Sequence, residues 1–124
     1  MNKISKEFLD LSEKITDTEP TTEQLLKRYK NSNGENYVLE DLPFDDLTFF
    51  AEPEVIVNPY SGVKVTLNPI EVAIYDATMG AYHIHIDLGK VAKYDDAKHW
   101  YREFYKGKNW FLENNIDAYM KLID

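Results

Sequence analysis

The sequence holds no cysteine, which excludes every disulfide scaffold and every thiolate metal site, structural zinc of the Cys-rich kind included. No apolar run approaches the roughly 20 residues that cross a bilayer. The start, MNKISKEFLDLSEK, alternates charged with apolar residues where a signal peptide is uniformly apolar, so a soluble, intracellular chain is expected. There is no glycine-rich phosphate loop, and Ser61 sits in a turn where no strand-to-helix nucleophile elbow is expected. The carboxylates of residues 40–46 lack the glycine and terminal glutamate of a calcium loop.

Positive charge is also scarce. Fourteen Lys and Arg stand against 22 Asp and Glu, for a net charge of −8. Residues 1–57 hold 13 acidic and 6 basic side chains, and residues 58–124 hold 9 and 8, so the acidity belongs to the N-terminal half. Such a surface repels phosphate backbones and offers no counterion release, which disfavours a direct nucleic-acid partner. Solubility is the plain account of the charge. An acidic docking surface for a basic partner, or an acidic decoy for a nucleic-acid-binding protein, is the sharper one.

What is present is a folded chain: 124 residues, 44% hydrophobic and 14% aromatic, the size of a single domain over 1–124. Ile4, Phe8, Leu11 and Ile15 share one face of a helix over about 3–16. Thr21 and Gln24 form a capping box for a second helix that buries Leu25, Leu26 and Tyr29, and Asn31-Ser32-Asn33-Gly34 ends it. Residues 1–34 therefore read as a helical hairpin or as an arm that docks on a neighbour. Residues 35–54 read as irregular, with a short strand at Tyr37-Val38-Leu39 and a helical turn at Pro43-Phe44-Asp45-Asp46-Leu47. Their interleaved aromatics and carboxylates suit a binding segment, or a loop whose aromatics plug the core while the carboxylates stay wet.

Residues 54–124 form a hairpin-plus-helices unit. Two β-branched runs, Val55-Ile56-Val57 and Val63-Lys64-Val65-Thr66-Leu67, flank Asn58-Pro59-Tyr60-Ser61-Gly62, in which Pro59 suits a type I turn and Gly62 can take positive φ. Asn68-Pro69-Ile70-Glu71 is a capping box with proline at the first helical position, and Leu67 and Val72 have the spacing of a hydrophobic staple. Val72, Tyr75, Met79, Tyr82 and Ile86 then predict a helix over 69–88 that runs through Gly80. Against it, residues 82–88 alternate as a half-buried strand would. A further helix over 97–114, capped by Asp95 or Asp96, places Trp100, Phe104 and Phe111 on one face with Tyr101, Tyr105 and Leu112 alongside. Asn114-Asn115 precedes a short last helix. The fold class is α+β: mostly helical, one hairpin at about 55–67, then an antiparallel helix pair.

One set of residues suggests chemistry. On a strand His83, His85 and Asp87 point to one face and could hold a divalent ion that activates water. On a helix His85 lies about 200° from His83 and the set falls apart. Contact residues are the other candidates: Tyr60 at the hairpin tip, which is otherwise a turn tyrosine folded back on the hairpin, and Trp100, Tyr101 and Tyr105, each of which is otherwise core.

The succession Asn58-Pro59-Tyr60-Ser61-Gly62, Leu67-Asn68-Pro69-Ile70-Glu71, Ala73-Ile74-Tyr75-Asp76, Asn109-Trp110-Phe111, Asn114-Asn115 and Ala118-Tyr119-Met120 resembles a group of small uncharacterised proteins of tailed bacteriophages. It covers the C-terminal half; residues 1–53 match no pattern. The resemblance implies a phage protein in the infected bacterial cytoplasm or in the virion, and it carries over no catalytic residue. The expected function is non-catalytic protein–protein contact, as a minor virion or assembly component or as a binder of a host protein. The alternative is a small metal-dependent hydrolase using His83, His85 and Asp87. On the leading reading no cofactor and no membrane partner is expected, while a protein partner of phage or host origin, and a homo-oligomer, are.

Overall fold

The computed structural model describes residues 20–124. The helix expected over 3–16 lies outside them, with the first part of the arm expected over 1–34. Helix α1, Thr22–Arg28, begins as its sequence dictates: Thr21 Oγ1 accepts from the Gln24 N–H at 3.2 Å, and Gln24 Oε1 accepts from the Thr21 N–H at 3.0 Å. Leu25 and Leu26 are its buried residues. Asn31 then holds the following turn, accepting from the N–H groups of Asn33 and Glu35 while its amide donates to Asn114 Oδ1. The turn is thereby fastened to the far end of the chain.

Two expectations for residues 35–54 are corrected. No strand forms at 37–39, because Tyr37 turns inward alone: its ring stacks on Trp110 at 5.7 Å, and Val38 and Leu39 stay exposed with no partner strand. The helical turn falls at Leu39–Asp41, not at 43–47. There Leu42, Phe44, Leu47 and Phe49 each turn toward the core, while Asp45 and Asp46 remain in water. Phe44 and Phe49 thus plug the core while Phe50 stays exposed, so the segment packs inward and still keeps an outer face.

Strands β1 (Glu54–Val57) and β2 (Lys64–Leu67) pair antiparallel in the register Glu54 to Leu67, Val55 to Thr66, Ile56 to Val65 and Val57 to Lys64. The two-residue period sends Ile56, Val65 and Leu67 to the core and Val55 and Val57 outward. Helix α2, Pro69–Lys90, starts at the expected box: Asn68 Oδ1 accepts from the Glu71 N–H at 2.9 Å, and Glu71 Oε1 accepts from the Asn68 N–H at 3.0 Å. Leu67 and Val72, the staple pair, are both buried. The helix continues unbroken through Gly80 and residues 82–88, so the longer of the two competing periods is the one realised.

Helix α3, Tyr94–Asn114, returns antiparallel along α2. Glu71 meets Asn115, Tyr75 meets Phe111, Thr78 meets Gly107, Tyr82 meets Phe104 and His85 meets Tyr101, a register that ascends one helix as it descends the other. The expectation that Asp95 or Asp96 caps α3 is also corrected. The link occupies only residues 91–93, so the helix starts at Tyr94 and both aspartates fall in its first turn, where they face the positive helix end. In that link Ala92 takes a left-handed φ of 60°, the Lys93 N–H donates to the Leu88 carbonyl and the Ala92 N–H to the Gly89 carbonyl. This is a Schellman stop with alanine where glycine is usual.

After Asn115 a short helix, α4 (Ile116–Ala118), runs into a π-type turn, Tyr119–Ile123. The core gathers Leu25, Leu67, Ile70, Ile74, Trp110 and Phe111 with this tail, at the end of the pair where α2 begins and α3 stops. The opposite end is thinner: Tyr82 and Ile84 of α2 and Tyr101 and Tyr105 of α3 stay partly in water. Among the described residues no helix is long and apolar enough to cross a membrane.

Candidate contact surfaces

The hairpin holds its tip in water on a hydrogen-bonded backbone. Asn58 Oδ1 accepts from the Tyr60 N–H at 2.8 Å and the Ser61 N–H at 3.2 Å, and Gly62, at φ +75°, closes the loop. The Asn58 amide also donates to the Lys121 carbonyl at 2.8 Å, tying the tip to the C-terminal turn. The backbone is thus fixed while the Tyr60 side chain is 97% exposed, so it does not fold back on the hairpin. Behind it Val55 is 55% and Val57 46% exposed, with Val63 also partly in water. These valines were not singled out from the sequence, although strand alternation about a buried Ile56 would have found them.

Of the other contact candidates, Tyr101 (44% exposed) and Tyr105 (47%) lie one turn apart on α3 with rings 6.3 Å apart. Trp100 is half-buried against the His99 ring, so it is a lesser candidate. Around the two tyrosines are cations. Lys108 Nζ sits 5.5 Å from the Tyr105 ring, and Lys98 and Arg102 line a shallow hollow with His85 and Tyr101.

His83, His85 and Asp87 are not brought together, since the segment is helical. His85 Nδ1 donates to the Ala97 carbonyl of α3 at 2.8 Å and its ring lies 5.1 Å from Tyr101, whereas the His83 ring packs beside Tyr82. His83 and Asp87 are exposed, one turn apart. Among the described residues no group of three or more His, Cys, Asp or Glu side chains is placed to hold a metal ion.

Among the described residues the most deeply buried carboxylate is that of Glu71. Burial pushes its pKa up from the ordinary 4.5, while hydrogen bonds from the Asn68 N–H and the Asn115 amide pull it back. Oε1 takes the Asn68 N–H and Oε2 takes Asn115 Nδ2, so both oxygens are committed to the fold. Beside it Asn68 Nδ2 donates to the Tyr37 hydroxyl at 2.9 Å, and burial raises the Tyr37 pKa further above its ordinary value. Among the described residues every buried side-chain nitrogen and oxygen has a partner. The network ties α2 to the segment after α1 and to the chain end. The capping box forecast its Asn68–Glu71 half, and nothing local forecast Asn115 or Tyr37.

Compared with protein families, with curated proteins and with solved structures, the chain matches none.

Proposed function

We propose that this protein works without catalysis, by contact with another protein through the outer face and tip of its hairpin. The observation that carries the reading is the rigidly held row of Val55, Val57 and Tyr60, apolar side chains kept in water by a backbone whose turn is fixed by Asn58. Aromatic anchors held on a fixed backbone are what protein interfaces concentrate their binding energy in. The likeness of the C-terminal half to small tailed-phage proteins is the ground for the setting: the infected cytoplasm or the virion, with a partner of phage or host origin. The metal-dependent alternative required His83, His85 and Asp87 to converge on a strand, and it is not carried further.

The test uses Val55→Thr/Val57→Thr/Tyr60→Ala, in which threonine preserves strand propensity. Immobilised wild type is expected to retain one specific protein from phage-infected bacteria that the triple variant, of equal thermal midpoint, fails to retain. Mass spectrometry of purified virions then separates a virion component from a host-directed protein. Retention of the same protein by both forms, or of none by either, would refute the reading.

A further inference from the structure

The charge of the described chain is unevenly spread, and the basic stretch of α3 begins after Asp95 and Asp96 of its first turn. Residues 35–54 carry seven acidic side chains and no basic one. Residues 97–108 carry Lys98, Arg102, Lys106 and Lys108 against Glu103 alone. Lys106 pairs with Glu103 at 2.9 Å, and among the described residues neither Lys98 nor Arg102 has a carboxylate partner.

The two regions also match in character. On α3 the free cations flank the half-exposed Tyr101 and Tyr105 and the hollow of about 310 Å³ that Lys98 and Arg102 line. On the acidic side a groove of about 720 Å³ runs between the start of α1 and residues 39–49. Glu23, Glu40 and Asp45 line it with Leu39, Phe44 and Leu47. An aromatic-cationic helix face and an acidic, apolar-floored groove are complementary in charge and in surface type.

They are also apart. Val38 and Asp41 share a cavity wall with Trp110, Glu113 and Asn114, which puts the acidic segment at the C-terminal end of α3. Tyr101 lies twelve residues before Glu113 on the same helix, about 18 Å away at 1.5 Å per residue. That exceeds the Debye length of about 8 Å at physiological salt, and a packed helix does not fold back on itself, so one molecule cannot satisfy its own two patches.

We infer that the Lys98–Tyr101–Arg102–Tyr105 face of α3 docks in the acidic groove of a second copy of this chain, head to tail. The Arg102 guanidinium suits a carboxylate of the groove, since its planar fork can make two parallel hydrogen bonds. The contact is heterologous: a head-to-tail dimer keeps one unused face of each kind, so association continues into a ring or an open chain and does not stop there. It uses surfaces other than the hairpin and stands or falls independently of the function proposed above.

Sedimentation velocity over a concentration series at low ionic strength tests it. Wild type is expected to grow beyond a dimer with concentration and to revert toward monomer in high salt. Lys98→Gln/Arg102→Gln and Glu40→Gln/Asp45→Asn should each weaken self-association at least tenfold. Their one-to-one mixture should form a dimer and nothing larger, because only one productive contact survives. A wild type that stays monomeric up to millimolar concentration would overturn the inference. So would undiminished self-association of either variant, or a mixture that fails to associate. Thermal midpoints equal to wild type show that neither pair of substitutions acts through misfolding.

Discussion

Gly107→Ala should destabilise the protein, against what helix propensity alone dictates. In an open helix interior the change stabilises by about 1 kcal/mol. Here a Cβ on residue 107 would lie 1.8 Å from Thr78 Oγ1, 2.8 Å from Thr78 Cβ and 2.9 Å from Thr78 Cγ2. The threonine cannot yield by rotating. Its hydroxyl is held by the Ile74 carbonyl at 2.6 Å, the side chain is fully buried, and the Cβ overlap survives any χ1. The helices must therefore part at their closest approach, an overpacking cost of about 3 kcal/mol, the upper end of its usual range. The net loss is about 2 kcal/mol, or roughly 1 M in urea midpoint at an m-value of about 2 kcal/mol/M. In a Thr78→Gly background the clash is gone and Gly107→Ala should stabilise by about 1 kcal/mol, giving a coupling of about 3 kcal/mol in the double-mutant cycle. Gly80→Ala, whose Cβ would meet nothing within 4 Å, is the control and should stabilise by about 1 kcal/mol. A Gly107→Ala midpoint equal to or above wild type would refute the close approach of α2 and α3 at this point.

The link and the polar network give three more tests. Ala92→Gly removes a left-handed penalty of about 1 kcal/mol at φ 60° and should raise the denaturation midpoint; a lower midpoint would show that the Schellman stop is not formed. Asn68→Ala deletes the cap on α2 together with the bond to the Tyr37 hydroxyl and should cost about 2 kcal/mol by chemical denaturation; an unchanged midpoint would mean that α2 does not begin there. For Glu71 the folded state binds its proton more tightly than the unfolded state does, so this group's contribution to stability rises as pH falls from neutrality through its raised folded pKa to the ordinary 4.5. Asn115→Ala removes a hydrogen bond that lowers that pKa, and carboxyl-carbon NMR should show Glu71 titrating higher still; a downward shift would refute the assignment.

Much of the local structure was legible because it rests on short-range physics. The boxes at Thr21 and Asn68 need only residues three apart, the hairpin needs Pro59 and Gly62 between two β-branched runs, and the long period of α2 outweighed the shorter alternation of 82–88. What failed locally did so for a tertiary reason. Tyr37-Val38-Leu39 has strand composition, but a strand needs a partner, and Tyr37 found Trp110 instead. Asp95 and Asp96 have cap chemistry, but the Schellman stop at Ala92 starts α3 before them.

The contact surfaces divide in the same way. The tip position of Tyr60 was readable though the exposure of its ring was not, and the seven carboxylates of residues 35–54 are plain in the sequence itself. The separation of that acidic segment from Lys98 and Arg102 was not, because it is set by which end of α3 Asp41 packs beside, a contact across some seventy positions of chain. His85 shows the limit most clearly: its spacing from His83 and Asp87 suggested a metal set, and only the register of α3 along α2 turned it to the Ala97 carbonyl. Gly107 passed unnoticed inside a helical pattern, since a missing side chain leaves no mark on periodicity. Its meaning lies in the backbone of α3 pressing on Thr78, and sequence determines elements through neighbours along the chain while close approach between elements is decided by what faces what once they pack.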